Sequence, residues 1–78
     1  MFEVTVLDIM TASVVFKKNA SSVVLPGEEE EITVLDFHQS FIGALKKGVV
    51  RIDSLKMQVK SGIAAMKDNQ LSILVEKI

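Results

Sequence analysis

From Leu55 to Lys60 the chain alternates apolar and polar side chains without a break, Leu-Lys-Met-Gln-Val-Lys. Successive side chains of an extended strand point to opposite faces, so Leu55, Met57 and Val59 share one face and the polar residues the other. That is the pattern of a half-buried strand. The same period of two recurs along the chain. Phe2, Val4 and Val6 alternate with Glu3 and Thr5 in a first strand ending near Asp8, and Val14 and Phe16 alternate in a second that stops at Lys17-Lys18-Asn19. Ile32 and Val34 flank Thr33, and Val49, Val50 and Ile52 surround Arg51. Ile63 to Met66 and Leu71 to Val75 complete the set. Between them lies Lys67-Asp68-Asn69-Gln70, whose Asp-Asn pair tolerates the left-handed backbone of a tight hairpin. The apolar residues are rich in Val and Ile, whose branched side chains suit a pleated surface. Val23-Val24-Leu25 runs into Pro26-Gly27, which predicts a type II turn, because proline pre-sets the first central φ and glycine supplies the positive second one.

The sequence has 78 residues, one proline, four glycines and no cysteine. A chain this short removes only roughly 60% of its unfolded surface on folding. Residues 1–78 are therefore expected to form a single all-β domain, a two-sheet β-sandwich of about eight to ten short strands around one core. A buried catalytic cleft with its own lid is hard to fit. Without cysteine there is no thiolate zinc site, disulfide framework or thiol nucleophile. Nine Lys and Arg against ten Asp and Glu give a formal net charge of −1, which leaves no basic excess to draw nucleic acid through counterion release. Met1 to Met10 carries Glu3 and Asp8 inside its apolar stretch and lacks a basic leader, so it reads as neither a signal nor a transit peptide. No apolar run approaches the roughly 20 residues of a membrane span, and no direct membrane insertion is expected.

Glu28-Glu29-Glu30-Glu31 is the strongest local concentration of charge. Such a run is ordinarily a solvated turn; the sharper reading is an acidic contact patch. The alternating Asp, Asn and Gly of a calcium loop are missing, and no metal site is expected. His38 is the only histidine, but no Gly-x-Ser-x-Gly elbow presents a nucleophile to it. It reads as a structural or partner-facing residue. Gly27, Gly43, Gly48 and Gly62 are scattered rather than gathered into a phosphate loop, so neither nucleotide nor other cofactor is expected.

Asp36 to Gly48 carries local helix signals. Asp36 is an N-cap candidate with Gln39 three residues on, apolar residues stand at 37, 41, 42, 44 and 45, and a glycine follows two lysines. Gly43 weakens the case by about 1 kcal/mol. Phe37, Phe41 and Ile42 crowd more apolar surface here than so small a domain readily hides. Leu74 is left on the face opposite Leu71, Ile73 and Val75, and some of this surface is expected to meet a partner. Ala65-Met66-Lys67 matches the Ala-Met-Lys of biotinyl carrier domains, also all-β, whose lysine is modified at an exposed hairpin turn. That alternative makes Lys67 the working residue, although only eleven residues follow it.

Taken in order, Ser22-Val23-Val24-Leu25-Pro26-Gly27-Glu28-Glu29 resembles the Leu-Pro-Gly-x-Glu-Gly stretch of the epsilon subunit of F-type ATP synthases. Leu45-Lys46-Lys47-Gly48-Val49-Val50-Arg51-Ile52 resembles that family's Leu-Lys-Pro-Gly-x-Val-Arg-Ile block, at the same separation. Phe2 to Asp8 is similar to its opening strand, and Ser61-Gly62-Ile63-Ala64 through Glu76 to its closing segment. Two stretches depart from the pattern. Glu30-Glu31-Ile32-Thr33 stands where the family has Gly-Glu-x-Gly, so two glycines are lost, and Asp36-Phe37-His38-Gln39-Ser40 stands where it has Pro-Gly-His-Ala-Pro. Only the histidine is kept, so that loop is expected to differ in shape. The resemblance ends with the β-domain at Ile78, which makes the expectation a short form without the family's C-terminal helical hairpin.

The resemblance implies a non-catalytic rotor subunit of the central stalk, held by the gamma subunit on one side and the c-ring on the other, so that ring rotation turns the stalk during proton-driven ATP synthesis. It implies that Glu28, Glu29, Glu30 and Glu31 form a c-ring-facing loop and that His38, Phe41 and Ile42 lie on the gamma-facing side. It also implies a peripheral place at the cytoplasmic face of the energy-transducing membrane, within a complex. For residues 36 to 47 it implies an irregular loop leading into a short strand, against the local helix signals. A free-standing β-module with an unrelated protein partner is the other reading these residues allow.

Overall fold

The computed structural model describes residues 1–78, and all its regular structure is strand. The elements are β1 (Phe2–Asp8), β2 (Ser13–Ala20), β3 (Ser22–Leu25), β4 (Ile32–Leu35), β5 (Phe41–Leu45), β6 (Gly48–Ile52), β7 (Leu55–Lys67) and β8 (Gln70–Lys77). Hydrogen bonds link them in the order β2-β1-β8-β7-β6-β3-β4, with β5 also on β7. All pairings are antiparallel except β1 with β8, which lie side by side in parallel.

Strand β7 belongs to both layers of the sandwich. Its first half, Leu55 to Val59, pairs with β6, and its second half, Gly62 to Met66, pairs with β5. Between the halves the register with β8 slips, from Val59 opposite Lys77 to Ser61 opposite Glu76. Lys60 is the extra residue of a β-bulge, which bends the strand and increases its twist. The bulge also changes which residues face inward. Met57 and Val59 point to the core before it, Ala64 and Met66 after it, so inward positions switch from odd to even. One layer is thus β4-β3-β6 with the start of β7, and the other is β2-β1-β8 with the end of β7 and β5. Gly62 follows the bulge because nothing larger fits there: a Cβ would lie 2.5 Å from the Leu74 carbonyl oxygen.

The two layers enclose one core of 16 buried apolar residues, with no buried polar side chain. Phe2, Val4 and Val6 of β1, Leu71, Ile73 and Val75 of β8, and Ala64 and Met66 of β7 come from one layer. Val23 and Leu25 of β3, Val34 of β4, and Val50 and Ile52 of β6 come from the other. Each fully buried Val, Leu or Ile contributes about 1.5–3 kcal/mol relative to leaving it in water.

Several sequence expectations are met in detail and others are corrected. Asp68 and Asn69 take φ of 53° and 59° between the paired Lys67 and Gln70, the two-residue hairpin their types favour. Residues 36–40 form an irregular loop and Phe41–Leu45 a strand on β7, as the family resemblance implies. Asp36 does not cap a helix; its carboxylate takes the Met1 ammonium at 2.6 Å. Strand pairing satisfies the backbone of β5 along β7 and buries Leu45, which outweighs a weak local helix preference.

The type II turn at Pro26-Gly27 is not formed. Gly27 has no positive φ, and it bridges to Leu45 while Glu28 N–H donates to the Ala44 carbonyl at 3.0 Å and Lys46 N–H to the Pro26 carbonyl at 2.9 Å. The chain continues toward β5 at this point and reverses through Glu28–Glu31 instead. Gly27 is required by space rather than by φ, since a Cβ there would collide with the Glu30 carbonyl oxygen. Strand β2 also runs past Lys17 to Ala20, its lysines set on an edge strand where charge discourages unwanted pairing. Val14 and Phe16 do not share a face, because a second bulge puts Val14 opposite Leu7 and Phe16 opposite Val6.

Candidate partner-facing surfaces

Strands β4 and β5 carry a loop at each end. Glu28–Glu31 leads into β4, residues 36–40 join β4 to β5, and β5 returns to the first loop, about 13 Å of strand at 3.3 Å per residue. All four glutamates are exposed. Glu28, Glu29 and Glu30 rim a depression of about 320 Å³ whose remaining lining is Ile32, Gly43 and Ala44. None of the four enters an ion pair, the only one in the molecule being Met1 with Asp36. The hydrogen bond from Glu28 N–H to Ala44 ties the base of the loop to β5. The result is an acidic rim on an anchored backbone, with no carboxylate in an ion pair, whose field acts over roughly the 8 Å Debye length of physiological salt.

At the opposite end, His38 N–H donates to the Leu35 carbonyl at 3.1 Å and His38 Nδ1 donates to the Gln39 carbonyl at 2.7 Å. The imidazole also stands edge-on to Phe41, with centroids 5.3 Å apart and planes at 71°. The three residues read together from the sequence are therefore divided by the pleat. Phe41 packs against the core, Ile42 points outward and is 81% exposed, and half-buried His38 packs against the Phe41 ring. Phe37 is more exposed still, at 83%. No group of three His, Cys, Asp or Glu side chains is placed to hold a metal ion. Lys67 sits within the β7–β8 ladder opposite Gln70, next to the turn and not at its tip, and Met66 beside it is in the core.

One surface escaped the sequence reading. On the outer face of the β2-β1-β8-β7-β5 layer, Val14 lies opposite Leu7, Leu7 opposite Leu74, Leu74 opposite Ile63 and Ile63 opposite Ala44. An unbroken apolar row thus crosses all five strands on the side away from the core. Leu74 was legible from β8 alone, but its neighbours depend on two bulges and a parallel pairing that no local pattern reports. The row ends at Ala44, which also lines the acidic depression, so the apolar and acidic surfaces meet on β5.

Residues 3–78 match the family model for the β-sandwich domain of the ATP synthase delta/epsilon chain. The chain belongs to the ATP synthase delta/epsilon family. It is 37% identical over 76 residues to the ATP synthase epsilon chain of Sulfurimonas denitrificans, covering 90% of this chain and 58% of that one. The chain therefore spans little more than half the length of such an epsilon-chain relative. Among solved structures, the fold is similar to a chain of the Tetrahymena thermophila mitochondrial ATP synthase central stalk and c-ring, with a TM-score of 0.76, 14% identity and coverage of 96% of this chain and 63% of that one. It is likewise similar to a chain in the Euglena gracilis mitochondrial ATP synthase, with a TM-score of 0.79, 19% identity and coverage of 92% and 48%. In delta/epsilon terms, the acidic rim and the outer apolar row are both features of the β-sandwich domain itself. No helix of the structure is long and apolar enough to cross a membrane.

Proposed function

We propose that this chain is a rotor component of an F-type ATP synthase that acts by being held, not by catalysis. As one rigid body, residues 1–78 lock the gamma subunit to the c-ring, so that turning of the ring during proton-driven ATP synthesis turns the stalk. The carrying observation is the pair of chemically distinct surfaces that meet on β5 of a delta/epsilon sandwich. Glu28, Glu29, Glu30 and Glu31 face the polar and basic loops of the c-ring, where uncompensated carboxylates steer docking and set register. The outer row of Val14, Leu7, Leu74 and Ile63, with Ile42 beside it and His38 and Phe41 behind the loop, faces gamma, where a flat apolar strip supplies the dry centre an interface needs.

Torque transfer requires a body that does not deform between its two contacts. Ladders in both layers, a single core and no buried polar side chain meet that requirement. The protein works at the cytoplasmic face of the energy-transducing membrane through the complex, with no cofactor or nucleotide of its own. Affinity purification of the tagged chain from its host tests this. Gamma and c subunits are expected in the eluate, and recovery of the chain from solubilised membranes without either would overturn the assignment.

A further inference from the structure

Left-handed backbone occurs at five residues other than glycine: Ala12, Phe37, Asp53, Asp68 and Asn69. Asp and Asn adopt it most readily and Ala12 is small, which leaves Phe37, at φ 57°, as the one bulky residue in a conformation unfavourable for its type. A glycine would hold the same turn without strain. The phenyl ring gains nothing within this chain to offset that strain, since it is the most exposed of the large apolar side chains.

The conformation is imposed from another element. Asn69, second residue of the β7–β8 hairpin, accepts the Phe37 N–H on its Oδ1 at 2.7 Å. Its Nδ2 donates to the Met1 carbonyl at 3.3 Å, and its own carbonyl accepts Glu3 N–H at 3.3 Å. On the far side of Phe37, the His38 N–H returns to Leu35. The residue is thus pinned before and after, with its ring aimed away from the molecule.

The geometry points to Phe37 as an aromatic anchor that seats in an apolar socket of the gamma subunit, with Asn69 as the positioning residue that holds it out. This rests on the rotor reading above. An aromatic ring with only two side-chain torsions, on a backbone already fixed, loses little freedom on docking, and such rings carry a disproportionate share of interface energy. Phe37 offers no hydrogen-bonding group, so its socket is carbon-lined.

The test is dissociation kinetics of the full chain from purified gamma subunit of the same source, with thermal unfolding measured in parallel. Phe37→Gly is expected to dissociate about tenfold faster or more, while its unfolding midpoint stays level or rises, a combination that a purely structural residue does not give. Asn69→Gly keeps the positive φ but removes the acceptor, and is expected to speed dissociation, whereas Asn69→Asp keeps an acceptor oxygen and binds as the wild type does. The double variant Phe37→Gly/Asn69→Gly is expected to dissociate no faster than Phe37→Gly alone. An unchanged rate for Phe37→Gly overturns the anchor and leaves the rotor reading standing. A double variant faster than Phe37→Gly overturns the positioning role of Asn69. Failure of the wild-type chain to bind gamma overturns the rotor reading and the anchor's partner together.

Discussion

Asp53 and Ser22 exchange hydrogen bonds: Ser22 N–H donates to Asp53 Oδ1 at 3.0 Å, and Asp53 N–H donates to the Ser22 carbonyl at 2.9 Å. Ser21 N–H adds a third bond to the same carboxylate at 3.1 Å. Ser21 is the single residue between β2 and β3, where the chain leaves one layer for the other. The β6–β7 turn therefore clamps the crossover that joins the two halves of the sandwich.

Asp53→Ala removes the acceptor of two backbone N–H groups and places a Cβ-bearing residue without a local hydrogen bond at φ 51°. The expected loss is about 1–3 kcal/mol. Asp53→Asn, which keeps an acceptor and tolerates the same φ, is expected to lose less than about 1 kcal/mol. Urea unfolding of the two variants beside the wild type makes the comparison.

Two glycines in neighbouring strands are expected to respond differently to alanine. At Gly62 the new Cβ meets the Leu74 carbonyl at 2.5 Å, and strain after the bulge is expected to remove about 2 kcal/mol or more. At Gly43 the nearest heavy atom is 3.6 Å away, and the reduced freedom of the unfolded chain leaves Gly43→Ala neutral or more stable by about 0.5 kcal/mol. Chemical denaturation midpoints distinguish these outcomes.

The strands that alternate strictly, β1 and the first half of β7, were legible because each buries one face and a period of two reports that directly. The Asp68-Asn69 hairpin was legible because its residue types fit its backbone. Where the reading of Pro26-Gly27 went astray, a local turn preference was overridden by pairing with β5, a segment that lies close only in the folded chain. The partition of the candidate site has the same origin. The family resemblance grouped His38, Phe41 and Ile42 on one side, but the pleat sends Phe41 inward and Ile42 outward. The apolar row was invisible because bulges at Val15 and Lys60 change which residues share a face. The order and spacing of the motifs, by contrast, carried the family resemblance without any knowledge of register.

The outer row separates stability from binding. Ile63→Asp places a charge at the centre of a face that is already half in water, so the fold is expected to change by about 0.5–1 kcal/mol. Binding to gamma is expected to weaken about tenfold or more, because the charge would be buried against an apolar strip without a partner. Parallel measurement of unfolding and of gamma affinity by calorimetry reports both quantities.

Charge reversal on the acidic loop addresses the other surface. Glu29→Lys with Glu31→Lys leaves the core and its ladders untouched, and the thermal midpoint is expected to stay within a few degrees of wild type. Association with c-ring-containing membranes is expected to weaken and to lose most of its dependence on ionic strength between low and physiological salt. Membrane sedimentation across a salt series provides the measurement.

Mechanical coupling is tested most directly in inverted membrane vesicles from a strain deleted for this chain, assayed for both ATP hydrolysis and ATP-driven proton pumping. Hydrolysis is expected to continue while pumping is lost, with pumping restored by the purified wild-type chain and poorly restored by Ile63→Asp. Pumping that persists at the wild-type level without the chain would contradict the account.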